Sequence, residues 1–233
     1  MFLNIDPFYW MLMLPIIVLS IIASVYTHTT FNKYSRKCSR SGVTGAEAAQ
    51  KLLAIMGVNN VKIEQTQGLL SDHYDPTSKT LRLSPSVYAS NSLSAIGIAC
   101  HEAGHAIQHA QSYAALALRS ALVPIVSIAN YLWLVLFFIG AFLSAKSLIV
   151  AGIFVFGSMT LFTLITLPVE WDASAKAKDL MVRAGIVTYE EQSHAAKVLN
   201  AAFMTYVAAA VSSIVQLLYF LMRMGLLGGR SDD

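Results

Sequence analysis

The chain of 233 residues is 56% hydrophobic and only 12% charged, against about 25% charged in an ordinary soluble domain. Its net charge of +3 is too small to suggest a nucleic-acid partner, and its two cysteines are too few for a disulfide framework. The composition is that of a helical membrane protein.

The first apolar run, Pro7 to Thr27, is long enough to cross a bilayer. Asp6 rather than a basic patch precedes it and no small-residue cleavage site follows, so it reads as a retained anchor. The basic cluster Lys33, Arg36, Lys37 and Arg40 follows, suited to sit on anionic lipid. Thr44-Gly45-Ala46-Glu47 is a capping box that opens a helix, and Gly57 closes it. Val58 to Glu64 reads as extended. Next comes Asp72-His73-Tyr74-Asp75, in which His73 is a spare ligand or a substrate contact, and then the turn-rich run Asp75 to Lys79. Thr80, Leu81, Arg82, Leu83 and Ser84 alternate as a half-buried strand does, and Pro85 stops the pairing. Such a strand is either a plain sheet edge or the edge on which an extended peptide substrate lies.

Asn91 is the expected N-cap of a helix from Ser92 to His109, which carries His101-Glu102-Ala103-Gly104-His105. Two histidines four apart lie one turn from each other on one helical face, so both imidazoles can reach one ion. Glu102 is turned about 100° away, a placement suited to a general base acting on a zinc-activated water rather than to a ligand. Cys100 points to another face, where packing is its expected role.

A catalytic zinc needs a third protein ligand. His109 lies about 12 Å from His101 along a straight helix and cannot share its ion. Two more apolar runs, Ala121 to Leu143 and Ser147 to Val169, are joined only by Ser144-Ala145-Lys146, so they form a hairpin. The hairpin returns Glu170 and Asp172 to the side it left, where they are expected to open a helix that Gly185 ends. Glu170 is the better candidate for the third ligand, whereas Asp172 is explained by its favourable place at a helix N-terminus. Thr188-Tyr189-Glu190-Glu191 is a second capping box, starting a helix that carries His194 and Asn200 into the fourth run, Ala201 to Met222. Every Lys and Arg except Lys146, Arg223 and Arg230 lies between the first and second runs or between the third and fourth. By the positive-inside rule those two segments are cytoplasmic.

Asp72-His73-Tyr74-Asp75-Pro76, Leu81-Arg82-Leu83-Ser84, the stretch from His101 to His109, Glu170-Trp171-Asp172-Ala173-Ser174 and Leu199-Asn200-Ala201-Ala202 with Thr205-Tyr206-Val207-Ala208 together resemble the YugP-like membrane zinc metallopeptidases. The chain is more distantly similar to HtpX and the CAAX-prenyl endopeptidases, gluzincins whose third ligand is a Glu in a Glu-x-x-x-Asp setting. This sequence departs there, with Ser174 at the place of the Asp. The resemblance implies a membrane-bound bacterial peptidase and names no substrate.

The expectation is therefore a mainly α, polytopic helical membrane protein with about four spans and a small gluzincin-like α+β catalytic portion. It forms a single metallopeptidase domain over 1–233, with catalytic segments at about 44–119 and 168–200. Zn2+ is held by His101, His105 and Glu170, Glu102 is the base, and Tyr206 and His194 are candidate oxyanion donors. The function is endopeptidase, the partners are the bilayer and a peptide or membrane-protein substrate, and the site faces the cytoplasm across the bacterial plasma membrane. The rival readings are a non-catalytic membrane adaptor with the same fold and an intramembrane protease. A transporter would place more polar groups inside the spans.

Overall fold

Each of the four apolar runs lies in a long helix of the structure, a computed structural model that describes residues 6–68 and 71–226. In chain order the elements are α1 (Pro7–Tyr34), α2 (Gly45–Ile55), β1 (Lys62–Gln65), β2 (His73–Asp75), β3 (Thr80–Leu83), α3 (Pro85–Tyr88), α4 (Leu93–Ala110), α5 (Ala114–Phe142), α6 (Lys146–Arg183) and α7 (Tyr189–Arg223). Helices α1, α5, α6 and α7 are long and apolar enough to cross a membrane. With one small sheet beside them, the fold is that of a mainly α polytopic membrane protein. The chain divides into two compact units, one within Met1–Ile22, Leu118–Leu167 and Tyr206–Asp233, the other comprising Ala23–Ala117 and Pro168–Thr205.

The first unit is built on the α5–α6 hairpin, whose turn places Ser144 at φ 53°. Close approach of the two helices requires glycine: a Cβ on Gly140 would fall 2.8 Å from the Ile149 nitrogen, and one on Gly152 would fall 3.0 Å from the Trp133 carbonyl oxygen. Trp133 packs edge-on to Phe156 and contacts Phe220, making an aromatic core beside Ile149 and Ile153. Several polar side chains of this unit are paired, as apolar surroundings favour: Thr163 with Ser213, Ser20 with Ser212, and the Tyr219 hydroxyl with Asp6.

The second unit has a soluble-type core. Ala48, Ala49, Leu52 and Leu53 of α2 join Ile96, Ala99 and Ala103 of α4, with Leu81, Leu83 and Val87 buried in the same cluster. Leu52, Leu81, Leu83, Ile96 and Ile107 are wholly buried. Each such side chain contributes about 1.5–3 kcal/mol of burial free energy before the entropy of ordering it is subtracted. The two capping boxes form as expected: Thr44 accepts from the Glu47 backbone while Glu47 accepts from the Thr44 backbone, and Thr188 and Glu191 repeat the arrangement. Glu191 also accepts from the Arg40 backbone nitrogen at 2.7 Å, tying the start of α7 to the linker after α1. Gly57 and Gly185 close their helices at φ 70° and 65°, a region that favours glycine.

Three expectations are corrected. The N-cap of α4 is Ser92, whose hydroxyl accepts from the Ala95 backbone, not Asn91. A hydroxyl one residue on does the same job, and Asn91 instead gives its carbonyl to the Ser39 nitrogen. Glu170 and Asp172 do not open a new helix, because α6 continues through Pro168 without a break. A proline inside a long helix forfeits one backbone hydrogen bond, a loss this packed helix absorbs. The N-terminal explanation of Asp172 therefore lapses.

The third correction concerns the sheet, whose order is β1-β3-β2. Thr80 to Leu83 forms the central strand, parallel to β1 and antiparallel to β2. Both edges of that strand are occupied, so Thr80, Leu81, Arg82, Leu83 and Ser84 cannot receive an added peptide strand. The missed partner was β2, three residues to which the sequence reading gave no strand and which the turn-rich run from Asp75 follows at once. Arg82 ties the strands together, with its Nη1 3.1 Å from Asp75 Oδ2 and its Nε 4.0 Å from Glu64 Oε2. Hydrogen bonds from Ser78 and Arg82 hold the Asp75 carboxyl well below the usual carboxylate range. Ser84 and its backbone nitrogen are held by Asp72 instead of by a strand.

Candidate metal centre

Helix α4 crosses the core of the second unit and presents His101, His105 and Gln108 toward α6. The approach is close because position 104 is glycine. A Cβ there would sit 2.7 Å from the Ala173 carbonyl oxygen and 3.2 Å from its Cα, both backbone atoms that cannot swing aside. Gly104→Ala is expected to push α4 and α6 apart, costing about 1–3 kcal/mol of stability. Its zinc content should fall too. Thermal midpoints and elemental analysis of the detergent-purified variant check both effects.

This approach brings His101, His105 and Glu170 together. One ligand atom from each lies within 4.8 Å of the others, the only such group of His, Cys, Asp and Glu among the described residues. His101 Nε2 is 3.1 Å from Glu170 Oε2, and His105 Nε2 is 3.7 Å from Glu170 Oε1. The Glu170 side chain is 2% exposed and that of His101 15%, so the carboxylate forms the floor and His101 the opening. Burial works against a charge on His105, but the neighbouring carboxylates of Glu170 and Glu102 outweigh it and raise its pKa above the ordinary value. The pocket thus favours positive charge at the point where the three donors converge. Glu102 is partly exposed on the same helix.

The nitrogens of the two imidazoles that face away from Glu170 are also engaged. His101 Nδ1 is 3.0 Å from Ser174 Oγ, and His105 Nδ1 is 2.9 Å from Gln108 Oε1. Gln108 is wholly buried and its Nε2 donates to the Val169 carbonyl oxygen and to Asp172 Oδ2, each at 2.8 Å. Asp172 also takes a hydrogen bond from the Lys176 ammonium, which lies over the Tyr113 ring. Both Nε2 atoms are left to the space shared with Glu170. Two imidazole nitrogens and one carboxylate oxygen, each imidazole backed by its own partner, are a donor set that fits zinc.

None of the other histidines among the sequence candidates is a member of this group. His109 is hydrogen-bonded through Nδ1 to the Tyr74 hydroxyl at 2.8 Å, bracing β2 against α4. His73 is exposed and donates to the Ser71 carbonyl. His194 stacks on Tyr34 with ring centroids 5.1 Å apart. Tyr206 belongs to the other compact unit. Cys100 is buried, and burial pushes its thiol up to about 12, which suits packing and not a thiolate ligand. The sequence reading missed the roles of Gln108, Ser174 and Gly104. Gln108 stands three residues after His105 and so shares its helical face, a signal available from spacing alone. The place of Ser174 beside His101 required the three-dimensional structure.

Over residues 9–225 the chain matches the family described as "putative neutral zinc metallopeptidase". It belongs to that family. Among curated proteins, the "Putative membrane protease YugP" of Bacillus subtilis (strain 168) is 45% identical over 215 residues, covering 92% of this chain and 95% of that relative. No solved structure matches. Family membership makes Zn2+ the cofactor, and the apolar helices make this metallopeptidase a membrane protein.

Proposed function

We propose that the protein is a zinc endopeptidase of the bacterial plasma membrane, with His101, His105 and Glu170 as zinc ligands, Glu102 as general base and the site on the cytoplasmic side. The observation that carries this reading is the convergence of the three donors within 4.8 Å, one of them delivered by α6 from 65 or more residues along the chain. A relative named as a membrane protease in Bacillus supports the compartment and the bacterial source.

When bound, zinc supplies a Lewis acid that polarises a scissile carbonyl and acidifies water. Glu102, one residue from His101 and turned off the ligand face, takes the proton of the attacking water. It then delivers that proton to the amide nitrogen as the C–N bond breaks, leaving an amine and a carboxylic acid, which gives up the water's second proton at neutral pH. Glu170, buried beneath the histidines, offsets the charge of the ion. Peptide segments exposed at the membrane surface, such as loops of membrane proteins, are the substrates such a site can reach. Purified protein should cut internal peptide bonds of such a substrate, lose that activity to a chelator and regain it with zinc. Release of terminal residues alone would contradict the endopeptidase reading. An adaptor would cut nothing.

Orientation has its own reporter. Cys38 is exposed and follows the first span, while Cys100 is buried. In intact cells a membrane-impermeant maleimide should leave Cys38 unlabelled and should modify a cysteine introduced at Ser144 in the α5–α6 turn. Lysis should expose Cys38. Labelling of Cys38 from outside would reverse the topology.

A further inference from the structure

We propose that Gln108 is a positioning residue for the metal site: its carboxamide, held in one orientation by Val169 and Asp172, fixes His105 in the tautomer whose bare Nε2 faces Glu170. The inference rests on the reading of His101, His105 and Glu170 as zinc ligands, and it concerns residues to which that reading gives no role.

The hydrogen bonds around Gln108 permit one arrangement of protons. A carboxamide has a donating end and an accepting end, and each neighbour dictates which it meets. The Val169 carbonyl oxygen can only accept. Asp172 Oδ2, already receiving the Lys176 ammonium, is likewise an acceptor. Both lie 2.8 Å from one end of the Gln108 side chain, which must therefore be the nitrogen, and both of its hydrogens are then used. The oxygen end faces His105 Nδ1 at 2.9 Å. Nδ1 must carry the hydrogen, so in the neutral ring Nε2 keeps its lone pair for an ion. Lys176 and Asp172 sit one turn apart on α6, so the same helix that supplies Glu170 also clamps the orienting amide.

The other histidine is held differently. Ser174 Oγ, 3.0 Å from His101 Nδ1, can donate or accept by rotating its hydroxyl. It follows His101 through either tautomer, whereas Gln108 imposes one. In this chain neutral groups back both imidazoles, and Asp172 reaches His105 only through an amide.

The test is zinc affinity of the full-length, zinc-depleted protein in detergent, measured by competition with a chromophoric chelator. Gln108→Met keeps the shape and removes the carboxamide, and should weaken zinc binding by about 10- to 100-fold. Gln108→Glu should also weaken it, because a carboxylate then faces Asp172. Adding Asp172→Asn supplies an amide donor to that carboxylate and should recover at least tenfold of the loss. A residue that merely fills space predicts a silent Gln108→Met and no recovery. Selective 15N-histidine spectra of zinc-loaded wild type give a check that needs no variant at 108: His105 should show a protonated Nδ1 and ligation through Nε2. Zinc affinity of Gln108→Met within twofold of wild type, a double variant no better than Gln108→Glu, or ligation through Nδ1 overturns the proposal. Glu170→Ala run in parallel separates the two claims: full affinity there defeats the ligand reading, while weak binding there beside a normal Gln108→Met defeats the role of Gln108 alone.

Discussion

Glu102→Gln is expected to keep zinc at the wild-type level and to lower the rate of peptide hydrolysis by about 10²- to 10⁴-fold, the usual contribution of a positioned acid–base group. The carboxamide has the same shape, so the helix and its two histidines stay in place. It cannot take a proton from water, so the chemical step fails while the ion remains bound. Glu102 lies close enough for its charge to act on His105, and its partial exposure leaves it open to solvent and substrate. Steady-state rates beside zinc content measure both halves. Loss of zinc in this variant would make Glu102 a ligand, and retention of turnover would remove the base.

Glu170→Ala should have the opposite signature, with metal and activity falling together. On the proposed assignment the substitution removes one of three ligands and the buried negative charge that offsets the ion, which should weaken zinc binding by about 10²- to 10³-fold. The two histidines lose their shared carboxylate, so their Nε2 atoms no longer face an acceptor at 3.1 and 3.7 Å. His109→Ala is the matched control. Its imidazole is bonded to Tyr74, so its removal loosens β2 from α4 and leaves zinc stoichiometry unchanged. Elemental analysis of the two purified variants reads the difference.

Periodicity and length made the four long helices and α4 legible from sequence, since an apolar run of about 20 residues has few other fates. The convergence of His101, His105 and Glu170 was legible for a geometric reason: the i, i+4 spacing puts two imidazoles on one face, and a two-span hairpin returns its far end to the starting side. Strand order was not legible. Nothing in Leu81-Arg82-Leu83 distinguishes a central strand from an edge, because that depends on a three-residue partner too short to carry a pattern of its own. The new helix expected at Glu170 and Asp172 failed for another reason: α6 runs on through Pro168, since a proline marks a helix boundary only when tertiary packing does not hold the helix through it. Ser174 looked like the loss of an orienting carboxylate. In the structure a hydroxyl fills that place beside His101, and the carboxylate of Asp172 serves Gln108.

The measurement closest to the central claim is zinc K-edge X-ray absorption on the purified wild-type protein. Ligation by His101, His105 and Glu170 predicts two imidazole nitrogens at about 2.0–2.1 Å, oxygen ligands at about 2.0–2.2 Å and no sulfur. A third imidazole would bring in another histidine in place of Glu170, and a sulfur shell at about 2.3 Å would bring in a cysteine. Either spectrum would contradict the assignment.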